Sequence, residues 1–358
     1  MAFGDRLKLA RLRGGMSLAA LAEKLEQRVT PQAINKYEKG DMMPSSSVLL
    51  ALAKALGVSL DFLMSSQVVE LDGVEFRKRA SVTEREKSLI ESEVIDHLER
   101  YLAIEAILDL PDEESALDRL DAVTVVSPED AEERANALRV EWRLGCEPVP
   151  SVTALLEEKN VRVIQIEAPA GFYGLTCRVR RPGGKPSIPI VVRRHVNVER
   201  DRFTLAHELA HAAIKDSVAG KVEKMMDRFA GAFLVPAEHL KNEIGARRTS
   251  LGYNELVQLK HLYGVSMWAL LMRLRDVGIV SEATHKNLYR TSARAWLKSE
   301  PAPLRENGDI GRLEQPRRFE AHVYRALAEG LISTPKAATL LKKSIHDVEI
   351  AFKGPTSH

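Results

Sequence analysis

The run Phe203-Thr204-Leu205-Ala206-His207-Glu208-Leu209-Ala210-His211 contains H-E-x-x-H. It constrains this chain more than any other stretch. Histidines four apart lie one above the other on a helix face. No proline or glycine interrupts Glu199 to Lys215, and Phe203, Leu205, Ala206, Leu209, Ala210, Ala213 and Ile214 supply apolar positions. The spacing therefore predicts an amphipathic helix here. Both imidazoles can then converge on one metal ion, and Glu208 can serve a nearby water as general base. A bound divalent metal lowers the pKa of water from about 16 toward 7. Catalytic zinc usually takes three protein ligands. Downstream, Met226, Phe229, Ala230, Phe233 and Leu234 form a helical apolar stripe that Pro236 ends. Glu223 and Asp227 share a face of that helix. Glu223 is the candidate third ligand, and Asp227 is the candidate partner for the other ring nitrogen of a ligand histidine. The alternatives are a solvated acidic face beside Lys224 and Arg228, or a third ligand from His195 or His239.

R-D-R-F-T-L-A-H-E-L-A-H followed by E-x-x-M-D-x-F-A-x-x-F-L-V-P resembles the ImmA/IrrE family of bacterial metallopeptidases, from roughly Ser151 to Leu240. Two departures stand out: Ala210 replaces a common glycine, and Met226 replaces a common alanine. The resemblance implies a thermolysin-like zincin domain with a short sheet. It also implies Zn²⁺, or Mn²⁺ in its place, held by His207, His211 and Glu223, with Glu208 catalytic and Asp227 behind a ligand. Several members of the family cleave a repressor protein and so derepress stress-response or mobile-element genes.

At the N-terminus, Phe3, Leu7, Leu9 and Ala10 mark a first helix ending at Gly14-Gly15. Ser17 is a natural cap for Leu18–Leu25, and Thr30 for Pro31–Lys39, with Gly40 as its stop. Ser46–Leu56 closes at Gly57, and Ser59 caps Leu60–Leu63. Two helices joined by a short turn, the second polar on one face, read as helix-turn-helix. Gln32, Asn35 and Lys36 would face the major groove. Lys8, Arg11, Arg13, Lys36 and Lys39 would neutralise phosphates. The run S-L-A-A-L-A-E-K-L…T-P-Q-A-I-N-K-Y-E-K-G…P-S…L-L-A-L-A-K-A-L-G-V-S-L-D-F-L is similar to the Xre/Cro/C1 repressor family. The DNA-contacting set is Thr30, Gln32, Asn35, Lys36, Lys39 and Arg11, and the resemblance implies a homodimer on a double-stranded operator.

The fold class expected is multidomain and mostly α, with a small α+β core. A five-helix domain occupies 1–66, a helical connector or dimerisation region 67–150, the peptidase core 151–240 and a helical region 241–358. In the connector, Val68–Arg79 reads as a short strand or linker. Thr83 with Glu86 makes a capping box for Glu84–Leu110, stopped by Pro111, and Pro128 starts Ala131–Leu144. Glu105–Arg134 is acidic: either a solvated surface packed on the peptidase or a mask for a basic DNA face. Val161–Glu167, Gly171–Val179 and Ile188–Arg193 read as strands, with a turn at Pro182-Gly183-Gly184. A sheet edge beside the zinc helix would take an extended substrate by β-addition. Tyr173 and Arg202 are minor candidates for transition-state contacts, with packing the plainer reading. Tyr253–Leu262 and Met267–Asp276 read as helices, residues 300–318 as a flexible segment, and Glu320–Phe352 as a helix pair. Trp268 and Trp296 read as packing residues.

The formal net charge of +2 excludes little. Two cysteines, Cys146 and Cys177, offer no disulfide framework, and no apolar run has membrane-spanning length. The expectation is a cytoplasmic regulator that cleaves a repressor-like protein or itself, with no membrane partner. The alternative is a DNA-binding repressor or antitoxin-like regulator whose peptidase-like domain is a non-catalytic sensor.

Overall fold

Local capping chemistry sets most helix boundaries in this computed structural model, which describes residues 3–58, 60–64, 70–72, 83–169, 171–180, 184–194, 197–215 and 222–354. Ser59 as a cap, most of the Val68–Arg79 stretch, the turn at Pro182-Gly183 and His195 lie outside the described residues. Helix α1 (Phe3–Arg13) is followed by α2 (Leu18–Lys24), where the Ser17 hydroxyl accepts from Ala20 N–H at 3.0 Å. In α3 (Pro31–Lys39) Thr30 accepts from Ala33 N–H, and Gly40 closes the helix at φ 77°, a left-handed conformation that suits glycine. Helices α4 (Ser46–Leu56) and α5 (Leu60–Met64) complete this unit. Strand β1 (Glu70–Asp72) precedes α6 (Glu84–Ile107), which opens on the expected Thr83–Glu86 capping box. It stops short of Pro111 because the chain has already turned at Asp109, at φ 50°.

After β2 (Val123–Thr124), α7 (Pro128–Glu141) begins at a second capping box, Ser127 with Asp130, and α8 (Val152–Glu158) follows. Strands β3 (Val163–Ile166), β4 (Gly174–Thr176), β5 (Arg178–Arg180) and β6 (Ile190–Arg193) lead into α9 (Val198–Ala213) and β7 (Ile214–Lys215). Then come α10 (Val222–Leu234), α11 (Ala237–Ile244), α12 (Tyr253–Tyr263), α13 (Met267–Asp276), α14 (Glu282–Leu288), a π-helical turn at Tyr289–Ala293, α15 (Arg294–Trp296) and α16 (Asp309–Leu313). The chain ends in α17 (Arg318–Ala328), α18 (Thr334–Leu341) and α19 (Ile345–Lys353). The expected C-terminal helix pair is therefore three helices, because Lys342 takes a left-handed conformation and Ser344 caps a new start.

The sheet separates two cores. Strand β6 lies between β3, parallel to it, and β4, antiparallel to it. The expected single strand 171–179 divides at Cys177. Its first half pairs with β6 (Gly174↔Val192, Thr176↔Ile190), and its second half pairs with β1 (Val179↔Leu71) while keeping a bridge to Ser187. Side chains alternate across this sheet. Val163, Ile190 and Val192 join a core with α9 and α10. Ile164, Leu175, Cys177, Val179 and Val191 join a different core, with α1–α5 and the first half of α6. The second half of α6 packs on α17–α19.

The segment 300–318, expected to be flexible, carries two acidic anchors, Glu300 and Glu314. Glu314 is buried, ion-paired to buried Arg202, and its carboxylate accepts from Val152 and Thr153 N–H at 2.9 and 3.0 Å, capping α8. Lys260, fully buried, pairs with Glu199 and, at 3.2 Å, with Glu300. These buried charges fasten the segment to the first turn of α9, which local composition could not reveal. Among the described residues, no helix is long and apolar enough to cross a membrane.

Candidate functional site

Asn197 caps α9, its side chain accepting from Arg200 N–H, and the helix runs unbroken through the H-E-x-x-H segment. His207 and His211 emerge one turn apart, with ring centroids 4.9 Å apart and planes at 78°. Ligand-type atoms of His207, Glu208 and His211 all lie within 4.8 Å of one another. Helix α10 crosses α9 and brings two carboxylates to His207. Asp227 Oδ1 is 2.9 Å from Nδ1, and Glu223 Oε2 is 3.3 Å from Nε2. With Nδ1 engaged by Asp227, Nε2 is the nitrogen presented toward Glu223 and the rest of the cluster.

Two histidines and a carboxylate are the donor types zinc takes; the atoms within 4.8 Å of one another are those of His207, Glu208 and His211, and Glu223 stands beside His207 at 3.3 Å. Two ligands about 2.0–2.1 Å from a tetrahedral ion lie roughly 3.3 Å apart, the spacing between His207 Nε2 and Glu223 Oε2. The electrostatics also favour a cation. Burial works against protonation of His207, but hydrogen bonds to Asp227 and Glu223 and the charge of Glu208 outweigh it and push its pKa up to about 9.

Strand β4 lies directly over the same helix. The Thr176 hydroxyl is 3.0 Å from both Glu208 Oε2 and Glu208 O. Gly174 sits so close that a Cβ there would lie 2.9 Å from Glu208 Oε1 and 2.8 Å from Thr204 Cγ2. Neither residue belongs to a recognisable motif, so sequence reasoning missed both. Cys177, next along the strand, is buried, and burial together with the Glu208 charge pushes its thiol up to about 12, which keeps it protonated and unreactive.

The minor candidates have other partners. Arg202 is buried and donates to the carbonyls of Val149, Pro150 and Tyr263 as well as pairing with Glu314, so its guanidinium is structural. The Tyr173 ring stacks under the Arg200 guanidinium, 4.2 Å from the centroid. His239 bonds Tyr263 Oη at 2.7 Å and faces Glu147, outside the metal-type cluster.

On α3, Gln32, Lys36 and Lys39 are exposed and Asn35 is half-buried along one face, while Ile34 and Tyr37 are buried on the other. The Thr30 hydroxyl is engaged as the cap. Arg11 corrects the expectation. It is buried against Glu38 in a two-pronged ion pair at 2.6 and 2.9 Å and donates to Met16 O, so its guanidinium faces the interior of the unit rather than a phosphate. Arg13 likewise turns to Glu93 and Ser92 on α6.

Residues 7–63 match the helix-turn-helix family, and residues 170–275 match the IrrE N-terminal-like domain of a peptidase family. The chain joins a helix-turn-helix domain to an IrrE N-terminal-like domain. A relative in Bacillus subtilis (strain 168), the SPbeta prophage-derived uncharacterized HTH-type transcriptional regulator YonR, is 39% identical over 70 residues. That match covers 20% of this chain and 63% of the relative's length. The crystal structure of ComR from Streptococcus suis aligns over 99% of this chain and 96% of its own, at 13% identity and a TM-score of 0.17. A likeness that weak carries no argument.

Proposed function

We propose that this protein is a bacterial transcriptional regulator that binds double-stranded operator DNA through residues 1–66 and carries a zinc-dependent endopeptidase site in residues 151–240. Residues 67–150 connect the two, and residues 241–358 complete the fold. It acts in the cytoplasm as a homodimer, and its substrate is a repressor-like protein or the chain itself, so that cleavage derepresses stress-response or mobile-element genes. The observation that carries the reading is the convergence of Asp227 and Glu223 on the two nitrogens of His207, beside His211 and Glu208.

His207, His211 and Glu223 would hold the zinc, with Asp227 fixing the tautomer of His207. When bound, the ion supplies Lewis acidity for hydrolysis of an amide bond. Glu208, held against β4, takes a proton from the attacking water and returns it to the leaving amine. Strand β4 ends its sheet among the described residues, which supports an extended substrate adding along it. Gln32, Asn35, Lys36 and Lys39 present the DNA-facing surface of α3, with Thr30 at its N-terminus.

One observation favours a second reading, a regulator whose peptidase-like domain senses rather than cuts. The DNA-binding unit shares a hydrophobic core with the sheet and is not a loosely tethered module. Metal content of the purified protein and proteolysis of candidate repressors by wild type and Glu208→Gln separate the two. The endopeptidase reading expects about one zinc per chain and cleavage lost in Glu208→Gln. Equal derepression by both proteins makes the domain a sensor.

A further inference from the structure

The contact between β4 and Glu208 is closer than packing a strand on a helix requires. Thr176 has one hydroxyl proton and two acceptors within 3.0 Å, the carboxylate Oε2 and the backbone carbonyl of Glu208. The carbonyl sits inside α9, where it already takes the helix's own i+4 bond. Glu208 is only 7% exposed, and a general base acts as the ionised form, whose charge-assisted bond is about twice as strong as a neutral one. The proton therefore goes to Oε2. Gly174 supplies the other half of the arrangement. Its missing side chain is what lets the strand backbone pass against Cγ and Oε1 of Glu208. Side chains alternate along β4, so the residue between them, Leu175, is anchored in the opposite core and fixes the height of both.

We infer that Gly174 and Thr176 form a seat on β4 that positions the Glu208 carboxylate, making Thr176 a positioning residue for hydrolysis at this site. The seat itself is a matter of geometry; its consequence for turnover rests on the endopeptidase reading above. A free glutamate samples several rotamers. One held by a hydroxyl on one oxygen and by close backbone on the other has a single orientation, which is what a general base needs.

Crystal structures of the zinc-loaded full chain as wild type, Thr176→Val and Thr176→Ser test the seat without reference to turnover. The expected result is a Glu208 carboxylate on the hydroxyl in wild type and Thr176→Ser, and swung off β4 in Thr176→Val. An unmoved carboxylate in Thr176→Val overturns the seat. Hydrolysis of fluorescein-labelled casein by the same proteins, with Glu208→Gln as background, tests the consequence. Thr176→Val should lower kcat about 10–100-fold with KM within about twofold and zinc content unchanged. Thr176→Ser should recover to within about threefold of wild type. Gly174→Ala should lower kcat as well, by wedging Glu208 aside. A moved carboxylate in a protein where wild type and Glu208→Gln cleave alike keeps the seat and removes the endopeptidase reading. Cleavage that needs Glu208 but is untouched by Thr176→Val overturns the positioning role.

Discussion

His207 is where the two long helices of the site meet, and its nitrogens are differently employed. Asp227 Oδ1 lies 2.9 Å from Nδ1, and in the proposed zinc site it would fix both tautomer and ring angle. Removing the acceptor leaves the ring free to rotate and the nitrogen less basic. Asp227→Ala is expected to weaken zinc binding about 10–100-fold, and Asp227→Asn, which keeps an acceptor, by less. Competition with a chromophoric chelator measures both; an unchanged affinity in Asp227→Ala would make the residue a surface charge only. On the DNA-binding unit, exposed Lys36 and buried Arg11 make opposite expectations. Lys36→Ala should reduce the slope of log affinity against log salt on duplex DNA by about 0.9, the share of one phosphate contact. Arg11→Ala should leave that slope alone and destabilise the protein by about 3–5 kcal/mol, because Glu38 is then left buried and unpaired. Anisotropy titrations at several salt concentrations, with urea unfolding alongside, distinguish them. A lower slope in Arg11→Ala would return it to the DNA contacts.

Elements bounded by local chemistry are legible in the sequence. Ser17, Thr30 and Thr83 each cap the helix expected of them, because a cap is a contact across three residues. The pair Glu223 and Asp227 was legible for the same reason, through a four-residue repeat on one helix face. Contacts between distant segments were not. Thr176 reaches Glu208 across 32 residues and Glu314 reaches Arg202 across 112, and neither leaves a periodic trace. The segment around Glu314 was misread because Pro, Gly and Arg usually mean loop, whereas its buried carboxylate both neutralises Arg202 and caps α8. Glu314→Ala should therefore cost about 3–5 kcal/mol in urea unfolding, far more than an exposed acidic residue would. The α6–α17 contact gives a pH dependence. His97 lies against Phe319, centroids 5.1 Å apart, and burial first, then the Arg100 charge, hold its pKa down to about 3. In the unfolded chain histidine titrates near 6.5, so above that pH both states are neutral and stability is complete. Below it only the unfolded state gains the proton, and stability falls by about 1.4 kcal/mol per pH unit until the folded value is reached. Between pH 7 and 5 the loss from this residue is about 2 kcal/mol. Between the two pH values the unfolding free energy from urea titration should fall by about 2 kcal/mol more in wild type than in His97→Gln; parallel shifts would remove His97 as the cause.

At the scale of the whole molecule, the sheet joins what the sequence suggested were separate units. One face of β4 and β6 supports α9, and the other is buried with Leu7, Leu21, Ile34 and Leu52 of the DNA-binding helices through α6. Removing α1–α5 would strip apolar cover from α6, which lies between them and the sheet, and burial of each large aliphatic side chain is worth about 1.5–3 kcal/mol. The two units should therefore unfold together. All three tryptophans, Trp142, Trp268 and Trp296, lie outside residues 1–66, so their fluorescence reports the peptidase side alone. Amide hydrogen exchange in α1–α4 reports the other. In urea the two midpoints are expected to coincide. Zinc at about a thousand times its dissociation constant should add about 4 kcal/mol to both, since an ion that binds only the folded chain stabilises everything that unfolds with its site. If α1–α4 lose protection first, or gain none when zinc is added, the shared core is too weak to couple them. If they rise together, occupancy of the metal site is felt in the helices that face DNA without any contact between the two surfaces.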